Sequence, residues 1–343
     1  MTQAAPPTTP PAASSSPTDA PTNAPDPAPP APRKRSARDS SASWRWTDRL
    51  GLAIAWILGV TFLVITVGLV VFLCVQGIRF IKPELFVTSP SAGFSESETG
   101  GFLDPLIGTF AMVIMAMALA FPAGLGIGVW LSEYGRPAWL ARVTESTIEM
   151  IAGTPSIVFA LFGVLLFQNP ALAFFSQETD GIVYGRSFFA AAFMLSFIAL
   201  PLIVANVREG LQAIPGHVRE ASYAVGKTKI TTTRRILLPA ARPSVVTGAM
   251  LGVGRIIGDT AIIILLLGAT LKMVPAGDTP LLSTLQGTGS TLTSFVYQNA
   301  PTGEANQPEK AYAAAFVLLT LVLILNFAVD VAVRRGRKMA WGS

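Results

Sequence analysis

The 343-residue chain is predicted to be an all-α membrane protein with six transmembrane helices and a disordered N-terminal tail. Three observations carry this. Hydrophobic residues make up 51% of the chain and charged residues 13%, with a mean hydropathy of +0.53. An average soluble domain is about a quarter charged. The apolar residues fall into six long runs, and the basic residues cluster on alternate sides of them. A soluble enzyme cannot hide this much apolar surface. One cysteine, Cys74, excludes an internal disulfide framework and a multi-Cys zinc site.

The tail, residues 1–49, comes first. Positions 1–43 hold no Val, Ile, Leu or Phe, and 11 of the 26 prolines lie between Pro6 and Pro32. Such a segment cannot offset its ordering entropy by burial, so it is expected to be disordered. No charged region precedes an apolar one within it, so it does not read as a secretory signal.

The six runs are 50–75, 104–130, 148–168, 187–206, 244–271 and 311–333. Each suits a helix of about 20 residues across a ~30 Å hydrocarbon core. None alternates polar with apolar residues as a membrane barrel strand does. Pro122 and Pro155 are candidate kinks in the second and third runs. The pairs Gly248/Gly252 and Gly254/Gly258, with Gly124, Gly126 and Gly128, read as small residues that let helices approach closely.

Orientation follows from lysine and arginine. Nineteen of the 25 lie in the tail, the 131–147 loop, the 207–243 loop and the C-terminal segment 334–343. Five lie on the other side, and Arg255 lies inside a span. Positive residues stay inside, so both termini and the 207–243 loop are expected in the cytoplasm. The +5 net charge is thereby a topology signal, and nucleic acid is not an expected partner.

The 207–243 loop reads as two short helices, His217–Val225 and Ile230–Leu237, separated by Gly226 and stopped by Pro239. Gly226-Lys227-Thr228 has the end of a phosphate-binding loop, but Ala221 stands where its first glycine belongs and no strand precedes it. Glu220-Ala221-Ser222, then Gly226, then Ile236-Leu237-Leu238-Pro239 resembles the EAA loop of ABC-importer permeases. Ser222 replaces the second alanine of that pattern.

The likeness narrows further. Val218-Arg219-Glu220-Ala221, Leu238-Pro239-Ala240-Ala241 and Gly254-Arg255-Ile256-Ile257-Gly258-Asp259-Thr260-Ala261 are similar to the phosphate-specific permeases, above all the PstA type. Leu131-Ser132-Glu133-Tyr134 and Ala152-Gly153-Thr154-Pro155-Ser156-Ile157-Val158 match that type too. The resemblance covers about 100–333. Asp259 departs from the usual Glu, and Ala205 from a frequent Arg.

This resemblance implies a MetI-like ABC permease (type I importer) fold over 100–333, preceded by a first transmembrane helix at 50–75. It also implies that Arg219, Glu220, Ala221, Ser222, Gly226, Leu238 and Pro239 couple the chain to a cytoplasmic ATPase. The chain is then not an enzyme and binds no cofactor or metal itself; ATP and Mg belong to the ATPase. The implied partners are a PstC-type second permease, two PstB-type ATPase subunits, a PstS-type extracytoplasmic phosphate-binding protein and membrane lipid.

Arg255 and Asp259 are the expected substrate path. A charge at the centre of a span costs at least ~2.5–3.5 kcal/mol, so it faces protein or water. Their i,i+4 spacing puts both on one helical face, where they can pair. An arginine fork suits a phosphate oxyanion. A purely structural ion pair is the competing reading of the same two residues. A permease for another oxyanion (molybdate or sulfate) and an ion-coupled secondary transporter remain alternatives. Competition uptake and dependence on the ATPase separate them.

Overall fold

The structure is a computed structural model that describes residues 46–90, 100–176, 178–179, 182–268, 285–303 and 307–340. The expected disordered tail lies almost wholly outside the described residues. So does most of the 272–310 segment's first half. The chain divides into two compact units at Leu63/Val64. Among the described residues the first unit is helical throughout, the N-terminal half of α1 (Trp46–Phe80).

The second unit is built around α5 (Phe188–Gln212). Ser187 starts this helix by accepting a hydrogen bond from the Ala190 N–H at 3.0 Å. Its apolar residues are not confined to one stripe: Phe188, Ala190–Ala192, Met194, Leu195, Ile198, Ala199, Ile203, Val204, Val207 and Leu211 are all buried. A helix apolar all round sits inside a bundle.

α2 (Leu103–Val129) lies along α5 and runs unbroken past Pro122. Close approach is what its glycines provide. A Cβ at Gly124 would stand 2.7 Å from Ile203, and one at Gly128 2.7 Å from Val207. α8 (Arg242–Gly258) covers another side of α5, with Gly248 and Gly252 against Asn206 and Ile203. The packing expected of Gly126, Gly254 and Gly258 is not found, since a Cβ at any of them meets nothing within 4 Å.

Among the described residues four helices are long and apolar enough to cross a membrane: Asp48–Phe80, Leu103–Tyr134, Phe188–Gln212 and Pro308–Val331. The last lies within α10 (Pro308–Ala340). Two further candidates are bent pairs, giving up to six spans. The 148–168 run is not one helix. α3 (Ala138–Gly153) and α4 (Ser156–Phe167) meet at 105°, with Thr154 and Pro155 extended between them. Thr154 precedes a proline, whose ring clashes with an α-conformation there.

The 244–271 run is likewise interrupted. α8 ends at Gly258, Asp259 is extended, and a π-helical turn, Ile263–Leu267, follows. Gly268 closes the described part.

Among the described residues two clusters form the core. The larger joins α2, α4, α5, α8 and the Ile263–Leu267 turn. The smaller gathers Leu85, Phe102, Leu292, Phe295, Ala313, Ala314, Val317 and Leu321 from the chain before α2, α9 (Leu292–Asn299) and α10. Gly108 permits the crossing there, because its Cβ would fall 2.1 Å from the Ser290 carbonyl oxygen. Beside it, Thr109 Oγ1 accepts a hydrogen bond from the Leu292 N–H at 2.9 Å.

Candidate functional site: the two-helix knob and the broken span

Between α5 and α8 the chain leaves the bundle as a knob. α6 (Gly216–Ala224) and α7 (Lys229–Ala240) form it. At the end of α6 the Gly226 N–H bonds the Tyr223 carbonyl at 2.9 Å, and the Lys227 N–H bonds that of Ser222 at 3.2 Å. This pair of bonds needs a left-handed residue between them, and Gly226 supplies it at φ +76°. Thr228 then starts α7, accepting from the Thr231 N–H at 3.4 Å. Gly226-Lys227-Thr228 is thus a helix stop and a helix start.

Pro239 does not stop α7. The Thr233–Leu237 stretch is π-helical, and helical bonding resumes beyond the proline, the Ala241 N–H reaching the Leu237 carbonyl at 2.8 Å. The ring enters where the regular ladder has already shifted register, so its missing N–H falls at a break. The chain turns at Ala241, and α7 meets α8 at 71°.

The seven expected coupling residues divide by exposure. Glu220, Ala221, Gly226 and Pro239 are exposed, and Leu238 is half-buried. Ser222 is buried, and its hydroxyl shares a 2.8 Å hydrogen bond with that of Thr232, joining α6 to α7. Arg219 also turns inward. Its guanidinium donates to the carbonyls of Leu211 and Ile214 at 2.7 Å each. The same group donates to Glu133 Oε1 at 2.8 and 3.2 Å. Arg219 and Ser222 therefore build the knob, and the exposed four form its outward rim.

Glu133, Tyr134, Thr232 and Lys229 were not singled out for this role by sequence reasoning. Glu133 and Tyr134 belong to a π-helical turn, Trp130–Tyr134, that prolongs α2. Lys229 Nζ sits 4.9 Å from the centre of the Tyr134 ring. The sequence marked Leu131-Ser132-Glu133-Tyr134 only as a stretch similar to the PstA type, with no contact to the 207–243 loop implied. Nearby, Arg208 and Glu145 form an ion pair between α5 and α3.

The broken span revises the pairing of Arg255 with Asp259. Asp259 is not on the helix with Arg255. It is extended, 3% exposed, and its Oδ1 accepts the Ile262 N–H at 3.0 Å, capping the next turn. The two charges approach only to 4.0 Å, and the Arg255 side chain is 45% exposed. Thr247, Leu251, Arg255 and Gly258 form an open stripe along α8. A Cβ at Gly254 or Gly258 would meet nothing within 4 Å, so the surface beside Arg255 is open at both positions. Ala205 is exposed on α5. Among the described residues no cluster of His, Cys, Asp and Glu could hold a metal ion.

Comparison with known proteins agrees with this architecture. The chain is 33% identical over 246 residues to the phosphate transport system permease protein PstA 1 of Mycobacterium tuberculosis, covering 71% of this chain and 74% of the relative. It is 31% identical over 249 residues to the phosphate transport system permease protein PstC of Xylella fastidiosa, covering 68% and 72%. A solved chain of the MetNI methionine ABC transporter in an inward-facing conformation superposes with a TM-score of 0.51 at 24% identity, over 67% of this chain and 93% of that one. A chain of a bacterial alginate ABC transporter, in complex with an alginate pentasaccharide-bound periplasmic protein, gives 0.58 at 16%, over 85% and 96%. Both likenesses are of fold. Residues 124–338 match the family described as binding-protein-dependent transport system inner membrane component. That stretch holds the central helix, the knob and the broken span, and the chain belongs to this family of multi-pass membrane permeases.

Proposed function

We propose that the chain is one permease subunit of an ATP-driven importer of inorganic phosphate. The observation that carries this is the knob: two short helices between spans, with Glu220, Ala221, Gly226 and Pro239 presented outward. Relatives named as phosphate permeases support the substrate. The knob end is assigned to the cytoplasm because the 207–243 loop is rich in lysine and arginine, and the same rule assigns both termini to that side. The knob seats in a groove of an ATPase subunit that binds ATP and Mg; this chain breaks no bond itself. A second, PstC-type permease completes the path, with two PstB-type ATPases inside and a PstS-type phosphate-binding protein outside.

Within the membrane the open stripe of α8 faces the path. Arg255 meets the passing phosphate through its fork, which places two donors against two oxyanion oxygens. Asp259 caps the turn that follows α8 and lies near enough to bias the guanidinium when no anion is present. Arg255→Lys keeps the charge and loses the fork. In vesicles carrying the complete transporter, it is expected to slow ATP-dependent phosphate uptake at least about tenfold, ~1.4 kcal/mol. Uptake at the wild-type rate overturns the fork role. Uptake that persists without the ATPase, driven by an ion gradient, overturns the importer reading itself.

A further inference from the structure

We infer that the Trp130–Tyr134 turn at the end of α2 receives motion from the knob and passes it into the bundle. This rests on reading the knob as the ATPase contact. A knob held only by its chain connections would move α5 and α8 alone. The geometry adds a third route. Arg219, in the first knob helix, places two donors on one oxygen of Glu133, whose side chain is only 4% exposed. Its remaining bonds reach the end of α5 at Leu211 and the connection just beyond it at Ile214. One guanidinium thus joins α6, α5 and the extension of α2.

The second knob helix makes its own tie to the same turn, through Lys229 and the Tyr134 ring. Both helices are in turn locked together by the Ser222–Thr232 hydroxyl bond, so they move as one piece. The turn is closed on itself by the Gly135 N–H on the Trp130 carbonyl at 2.7 Å. It continues directly into α2, where Gly124 and Gly128 seat against Ile203 and Val207. Close-packed helices transmit displacement rather than absorb it. Glu133 and Tyr134 are therefore positioning residues for transport, acting through Arg219 and Lys229.

The test uses the whole transporter in vesicles, supplied with inorganic phosphate and ATP, and reads phosphate imported per ATP hydrolysed. Retention of the ATPase on purification is read alongside. Glu133→Gln keeps the shape and removes the charge. It is expected to keep the ATPase bound while import per ATP falls at least about fivefold, the lower end of coupling between linked sites. Glu133→Asp is expected to recover part of it. An unchanged ratio in E133Q overturns the inference. Loss of the ATPase from E133Q also overturns it, because the turn would then hold the docking surface rather than pass on its motion. Should E133Q fail to accumulate, the doubly substituted K229Q/Y134L chain takes its place. The same fall supports the inference, and a wild-type ratio overturns it. A wild-type chain that retains no ATPase sinks the functional reading instead.

Discussion

Asp259 occupies two environments at once: its carboxylate caps the turn ahead of it and faces a guanidinium behind it at 4.0 Å. These roles separate by substitution. Asp259→Ala removes the cap and is expected to destabilise the chain by about 1 kcal/mol. Asp259→Asn keeps a capping oxygen and is expected to lie within a few tenths of a kcal/mol of wild type, by the near-equality of the two as caps. Thermal unfolding of both variants in detergent checks this. A transport defect in the Asn variant at wild-type stability then belongs to the charge. The same geometry accounts for aspartate where the PstA pattern has glutamate, since the shorter side chain is the strong capping residue. Sequence reading expected Arg255 and Asp259 to face each other, and their side chains approach to 4.0 Å. It missed the break between them because spacing assumes a continuous helix, and Asp-Thr carries no proline to announce one.

Helix contacts in this chain are set by where glycine meets a neighbour, which composition alone does not reveal. Gly108 and Gly126 lie on the same helix and differ in this. A Cβ at 108 would stand 2.1 Å from a backbone oxygen, whereas one at 126 meets nothing within 4 Å. Gly108→Ala is expected to cost about 1–3 kcal/mol, the usual range for overpacking against atoms that cannot swing away. Gly126→Ala is expected to be neutral or stabilising by up to ~1 kcal/mol, because alanine suits a helix interior. Unfolding midpoints of the two variants, measured together, decide it. The long helices were legible in the sequence because Leu103–Val129 and Phe188–Gln212 are long apolar runs, and neither Pro122 nor Pro201 within them breaks the helix. Pro155 was legible as a disturbance, and its 105° effect was not, because the angle depends on what α3 and α4 pack against. Pro239 misled for a related reason. A proline reads as a stop, yet the π-helical stretch before it lets the helix continue.

At the scale of the molecule, the second unit has two ends of different character. One carries the knob and its ties to the end of α2. At the other, Lys310 Nζ donates to the Gly100 carbonyl at 2.9 Å and the smaller core cluster is assembled. The first end is proposed as cytoplasmic, and Val225, 72% exposed beside Gly226, reports on it. With Cys74 changed to serine, Val225→Cys is expected to react with a membrane-impermeant maleimide in inside-out vesicles and to be protected in right-side-out ones. Labelling with the opposite preference reverses the topology. The central position of α5 also has a consequence in time. Its cover comes from α2, synthesised before it, and from α8 and the Ile263–Leu267 turn, synthesised after it. A nascent chain halted after Gln212 therefore offers one side of the most buried of the long apolar helices to lipid or to an insertase, and the bundle closes only once the ribosome has passed Leu267.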